Sequence, residues 1–353
     1  MLKIGIFAPY VRNETTLAAT QFADWLVRCG FEVVYLADGK VASGISSHWD
    51  TQVKSSHNVS LYKWGKGLTH VCWFSVNSFV MSAIQLVAPN DPKRTLKHFF
   101  FPTWKNWTLD EEGMFLVADK VICLNHSLKH WINRKYGSDK TKWKRLVSPA
   151  IITFPKVGRV NPKTKHLCVV LSKSVVLDLG LDLLHVFNCL LDGHQNLHVT
   201  FILEHTLPKG YRKELSRTKD QHPDRVEILG SPAYQDWPGI IRQHDWVYLS
   251  TTRHTYGSLL THCASAGVPI IAHDVAPVTE HIEDRVSGVV IPAEIIECPA
   301  PVAEVDIEDV MVTLERVLSN HDCVLEDHQA DITLRLKTKQ ESFARFINQE
   351  FLA

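Results

Sequence analysis

Residues 247–292 read VYLSTTRHTYGSLLTHCASAGVPIIAHDVAPVTEHIEDRVSGVVIP, a stretch in which short apolar runs alternate with glycine-bearing turns and helix-sized polar segments. Apolar runs of four or five residues suit buried strands, so the pattern predicts parallel strands over 245–249 and 268–272 with a helix over 258–266 between them. Tyr256-Gly257-Ser258 is the turn that opens this helix. Free backbone N–H groups and the positive end of the helix dipole favour phosphate there, and in an open parallel sheet that edge is where ligands bind. Gly257 has no side chain to keep a ligand away from the backbone.

The same alternation extends in both directions. Upstream, strands are expected over 2–7, 32–36, 69–74, 97–101 and 120–124, with helices over 15–29, 78–87, 109–118 and 127–136. Proline-containing stretches at 147–155 and 158–162 then break the pattern and read as a linker. A second series follows, with strands at 166–171, 198–203 and 226–229 and helices at 179–191, 209–219 and 234–243. The proline-rich 292–302 reads as a surface loop and 307–318 as a helix. In 332–351, Leu334, Phe343, Phe346 and Ile347 recur at helical spacing. The expected fold is α/β, with two doubly wound, Rossmann-like domains facing a cleft. The first domain spans 1–150, a linker 151–165 and the second domain 166–328, leaving 329–353 as a last helix.

With 353 residues, 45% hydrophobic and 22% charged, the chain has an ordinary globular composition and a length suited to two domains. No apolar run approaches the roughly 18 residues of a membrane span. The opening MLKIGIFAPY lacks a small-residue cleavage site and reads as a first core strand. Eight cysteines are scattered singly, without C-x-x-C, as expected of reduced thiols in a cytoplasmic protein. Net charge is zero, yet residues 1–150 hold 19 Lys and Arg against 11 Asp and Glu, and the remainder 19 against 27. A first half at +8 suits an anionic partner such as nucleic acid, or equally an oppositely charged second domain. Nothing in the sequence assigns an oligomeric state.

The quoted stretch resembles the nucleotide-sugar signature of GT-B glycosyltransferases, in particular the large retaining family 4, whose motif runs E-G-F-G-x-x-x-x-E-A-x-A-x-G-x-P-V-I. Tyr256-Gly257 matches its aromatic-glycine pair, Ala264, Gly267 and Pro269 its small-residue run, and Glu280 the Glu of the following loop. His254 and His262 stand at the two acidic positions, still eight residues apart. The resemblance implies a metal-independent hexosyl- or pentosyltransferase with no cofactor beyond a nucleotide-sugar co-substrate, reacting with retention.

By the same resemblance, His254 meets the donor sugar, His262 the ribose, and Tyr256, Gly257, Ser258, Leu259 and Glu280 line the donor site. A neutral imidazole accepts one hydroxyl hydrogen where a carboxylate offers two oxygens. The family clamps the diphosphate with an Arg and a Lys on the loop after the first strand of the second domain. Here Lys173 stands at the Arg position and Leu179 at the Lys position, which leaves Arg253 as the second cation. Each is equally readable as a solvated loop charge, and His262 as a packed helix histidine. Two histidines eight apart do not form a zinc spacing, and no metal is expected.

The family's first loop is glycine-rich, whereas residues 8–16 hold no glycine, so Arg12 or Asn13 would reach a phosphate by side chain. Asn13 as a helix cap explains the same residues. Acceptors meet the first domain in this family. There, Trp104, Lys105 and Trp107 follow a strand, and Lys142, Trp143 and Arg145 interleave cations with aromatics, a combination suited to phosphates and base stacking or simply to a solvated helix end. A modified DNA base is the favoured acceptor. A glycan or lipid-linked acceptor, a catalytically silent scaffold that binds a nucleotide sugar or protein partner, and a nucleotide-sugar hydrolase or epimerase stay open.

Overall fold

The computed structural model describes residues 2–11, 14–43, 49–76, 80–81, 96–102, 109–123, 126–136, 143–145, 164–171, 178–203, 207–230, 232, 236–251, 260, 263, 266–275, 278–282, 284, 288–296, 302–319, 338 and 341–351. The chain divides into two compact units. One comprises Met1–Ile151, Ala233–Gln235 and Lys339–Ala353, the other Ile152–Pro232 and Asp236–Thr338.

The first unit holds a seven-stranded sheet in the order β3-β2-β1-β4-β5-β6-β7, built from Lys3–Tyr10 (β1), Glu32–Val41 (β2), Lys54–Ser55 (β3), His70–Trp73 (β4), Lys97–Phe100 (β5), Lys120–Cys123 (β6) and Trp143–Arg145 (β7). Every pairing is parallel. Central strands are buried on both faces, which is why β1 and β4 read as unbroken apolar runs. Glu14–Arg28 (α1) turns its buried Ala19, Phe22, Ala23 and Leu26 inward at helical spacing. Phe22 also meets Phe343 and Phe351 at 5.8 and 6.2 Å between ring centroids. The terminal helix, residues 341–351, therefore belongs to this unit's core, and its buried Glu350 pairs with Lys120.

The second unit holds a six-stranded parallel sheet in the order β10-β9-β8-β11-β12-β13, from Lys165–Leu171 (β8), Leu197–Leu203 (β9), Val226–Leu229 (β10), Trp246–Leu249 (β11), Ile270–His273 (β12) and Gly288–Ile291 (β13). Asp182–Gly193 (α2) and Ile307–Ser319 (α3) cover one face. Leu183, Leu184, Phe187 and Leu190 of α2, with Val310, Leu314 and Val317 of α3, form its core with Tyr248 and Ile271. Both sheets step outward from a first strand and then restart on its other side, which is the doubly wound arrangement expected from the sequence.

Several local expectations are corrected. Residues 292–302 are not one loop, because Glu294–Ile296 and Val302–Glu304 pair as an antiparallel ribbon. Trp143 and Arg145, proposed for acceptor contacts with a solvated helix end as the alternative, lie on β7 beside β6, which rules out the helix end, since backbone pairing overrides a polar pattern on an edge strand. The helix expected at 234–243 is described only as Trp237–Ile241. Lys54–Ser55 and the short helix Leu61–Gly65 were not anticipated.

Candidate functional site

In a doubly wound sheet the two strands that flank the change of direction splay their following loops apart, and ligands occupy the crevice at their carboxyl ends. In the second unit those strands are β8 and β11, paired with Leu249 opposite Val170. Side chains tie this junction at both ends. At the amino end, Asp245 accepts the His166 N–H at 2.8 Å while its own N–H donates to the His166 carbonyl at 2.8 Å. At the carboxyl end, the buried Ser250 hydroxyl donates to the Val170 carbonyl at 2.6 Å.

A second tie comes from β12. The Tyr248 hydroxyl donates to His273 Nε2 at 2.7 Å, and His273 Nδ1 donates to the Thr251 carbonyl at 3.0 Å. The Thr251 carbonyl can only accept, so Nδ1 carries the hydrogen, and in the neutral ring Nε2 is left to accept from Tyr248. Burial lowers the His273 pKa from 6.5 to about 4, and the Thr251 carbonyl opposes that shift. Ser250 and Thr251 are thus held from both neighbours, one bond to β8 and one to β12, where the chain leaves the sheet towards residues 252–259.

The route back to β12 is also defined. Positions 260, 263 and 266 are helical, with Leu260 and Cys263 buried. Gly267 then takes φ 72°, a left-handed value that ends a helix without steric cost. Past β12, Val278 N–H donates to the Val275 carbonyl at 2.6 Å, closing the turn into Val278–His281. Glu280 lies on that short helix, half-buried.

Glu280, Trp143 and Arg145 are the expected site residues that the structure describes, the latter two by backbone alone. Glu280 belongs to the carboxyl edge of the second sheet, and Trp143 and Arg145 to the outer edge of the first. Lys173, Arg253, His254, Tyr256, Gly257, Ser258, Leu259 and His262 lie outside the described residues, as do Arg12, Asn13, Trp104, Lys105, Trp107 and Lys142. The flanks of the first loop are described, and Thr16, in the first turn of α1, reaches back to the end of β1. Its hydroxyl donates to the Pro9 carbonyl at 2.9 Å and accepts the Val11 N–H at 3.3 Å.

Tyr248, Ser250 and His273 were not singled out in the sequence. A faint signal existed: a histidine closing the apolar run Ile270-Ile271-Ala272 must find partners for both ring nitrogens. Among the described residues no group of three or more His, Cys, Asp or Glu side chains is placed to hold a metal ion. No described helix is long and apolar enough to cross a membrane.

No family model matches the chain. One curated relative, an alpha-D-kanosaminyltransferase of Streptomyces kanamyceticus, is 33% identical over 69 residues, and the match spans 20% of this chain and only 18% of that protein. Solved structures resemble the whole chain. Anabaena HepE in complex with UDP superposes with a TM-score of 0.69 at 11% identity, covering 99% of this chain and 100% of that one. A glycosyltransferase of Rickettsia africae gives 0.71 at 10% identity, with 99% and 98% covered. A Listeria monocytogenes structure described as a UDP-N-acetylglucosamine 2-epimerase gives 0.64 at 10% identity, with 94% and 91% covered. At such identities the likeness concerns architecture, and that architecture is the GT-B fold of two Rossmann-like α/β units.

Proposed function

We propose that this chain is a glycosyltransferase that takes a nucleotide sugar at the carboxyl edge of the second unit's sheet and transfers the sugar, with retention and without a metal, to an anionic acceptor bound by the first unit. The observation that carries this reading is the junction of β8 and β11, where Ser250 and His273 hold the exit of β11 beside Val170. A sheet edge fixed at its switch point is a rigid base for the segments that follow it, 172–177 and 252–259, and rigid elements position sites best. UDP bound to HepE, a protein of the same fold, makes a uridine diphosphate sugar the first donor to test.

In this reading the diphosphate rests on the amides of Gly257, Ser258 and Leu259, with Lys173 and Arg253 neutralising charge as the bond to the sugar breaks. His254 accepts a sugar hydroxyl and His262 a ribose hydroxyl. Tyr256 and Glu280 complete the donor pocket, and Arg12 and Asn13 are further donor-binding candidates. Trp104, Lys105, Trp107, Lys142, Trp143 and Arg145 supply acceptor contacts on the half of the chain that carries the +8 balance. Cys72, Cys123, Cys168 and Cys263 are free and buried, which suits work in the reducing cytoplasm.

The test is nucleotide release from a panel of UDP-sugars, with and without duplex DNA and glycan acceptors. Release that requires an acceptor supports transfer. Release in its absence, or conversion of the donor to its epimer, supports the second reading that the Listeria structure favours, a nucleotide-sugar hydrolase or epimerase. His254→Ala is expected to abolish turnover and spare nucleotide affinity; unchanged turnover removes His254 from the site.

A further inference from the structure

The first unit carries a cavity that the donor reading leaves unused. It is a solvent-open depression of about 690 Å³ at the carboxyl ends of β2 and β3, lined by Lys40, Val41, Val53, Lys54, Ser55, His57, Asn58 and Val59. Its geometry follows from an irregularity in β2. Ala8 pairs with Ala37 but Tyr10 pairs with Val41, so β2 spends two extra residues between these points. Such a bulge bends the strand and re-aims its side chains. Gly39, at φ 88°, absorbs the bend.

The bulge is fastened to the turn after β3. Ser55 donates its hydroxyl to the Gly39 carbonyl at 2.6 Å, and Gly39 N–H donates to the Ser56 hydroxyl at 3.0 Å. His57 N–H donates to the Ser55 hydroxyl at 3.1 Å, and Asn58 N–H to the Ser55 carbonyl at 3.0 Å. The result is a braced segment that carries Lys40, Lys54 and His57 among the lining residues. No acidic residue is among the described lining residues, and neither lysine takes part in an ion pair among the described residues.

Two ammonium groups match the charge of a phosphate dianion, and the imidazole and Asn58 amide add donors. Three valines give the cavity an apolar wall, and Val41 is 39% exposed. The volume lies in the range of small-molecule sites. A nucleic-acid duplex would call instead for a row of cations tracking successive phosphates over a broad surface. We propose that this cavity binds the phosphate group of a phosphorylated saccharide, a ligand class that rests on the transferase reading above, at the sheet edge opposite the acceptor contacts of Trp143 and Arg145.

The test uses glucose 6-phosphate as probe and the amide resonances of Ser55, Ser56, His57 and Asn58 as readout, which separates this site from the donor edge. Saturable shifts are expected with glucose 6-phosphate and none with glucose, and Lys40→Gln combined with Lys54→Gln should weaken binding at least tenfold. Both lysines are exposed, so this variant is expected to fold, and an unchanged thermal transition checks it. Silence of these amides, an equal response to glucose, or a response to duplex DNA but not to the sugar phosphate overturns the proposal. UDP is titrated into the same sample. Glucose 6-phosphate binding without UDP binding upholds the cavity and overturns the donor reading, whereas UDP binding alone overturns the cavity and spares the donor site.

Discussion

Tyr248 donates its hydroxyl hydrogen to Nε2 of His273 at 2.7 Å, in the buried interior between β11 and β12. The opposite nitrogen of the ring faces the Thr251 carbonyl, which can only accept, so that contact sets the tautomer and Tyr248 completes it. Its consequences for stability depend on pH with a definite sign.

His273 has a folded-state pKa of about 4 against an ordinary 6.5. The unfolded chain therefore binds a proton first as pH falls. The contribution of His273 is complete above about pH 6.5 and is lost as pH drops towards 4, on the order of 3 kcal/mol across the window. His70, lowered to about 4 by burial and then by Lys97 and Lys120, acts in the same direction. Urea unfolding at pH 7 and pH 4.5 should show this loss. His273→Gln should be less stable than wild type at pH 7 but show a shallower acid slope; an unchanged slope would exclude His273 as a source.

Ser250→Ala removes the 2.6 Å bond to Val170 and leaves a buried carbonyl unpaired. The expected cost is about 1–3 kcal/mol. If the junction is the base of the donor site, affinity for UDP should fall severalfold in calorimetry. Loss of stability with full UDP affinity would separate the bond from the site.

The Lys120 and Glu350 pair is asymmetric, with side-chain exposures of 38% and 1%. Lys120→Met takes this cation away from a carboxylate buried in the core and is expected to cost about 3–5 kcal/mol. Glu350→Met leaves only a cation able to reach water and should cost less. Thermal unfolding of both variants gives the order directly, and equal losses would contradict it.

Phe351 ends the terminal helix against Phe22, Phe31, His70 and Phe99, with ring centroids 5.0–6.2 Å away. Phe351→Ala is expected to lose about 3–5 kcal/mol and to expose the last helix to limited proteolysis. Resistance equal to wild type would mean that the other contacts of the helix suffice to hold it.

Much of the architecture was readable because buried parallel strands and amphipathic helices leave different periods in the sequence. The runs at 166–171 and 226–229 and the helix at 307–318 appear in the structure within a residue or so. Trp143-Lys144-Arg145 escaped that reading because an edge strand needs only backbone partners and tolerates a polar, charged pattern. The ribbon of Glu294–Ile296 with Val302–Glu304 was hidden by neighbouring prolines and by exposed side chains that carry no core signal. Of the proposed donor residues, Glu280 was visible as a motif residue and is found at the carboxyl edge of the second sheet. Ser250, Tyr248 and His273 were not visible, since each looks like an ordinary polar residue until its partner is known.

What the amino-acid sequence alone determined is local: where chain direction reverses and which segments are strands or helices. Periodicity and glycine placement act over a few residues, so they can be read one window at a time. Only the tertiary structure decided that β8 and β11 are neighbours, that Ser250 meets a carbonyl 80 residues away, and that a two-residue bulge in β2 gathers Lys40, Lys54 and His57 around one cavity. Those relations depend on the order of strands in a sheet, which is set by pairing between distant segments and leaves no mark in the sequence of any one of them.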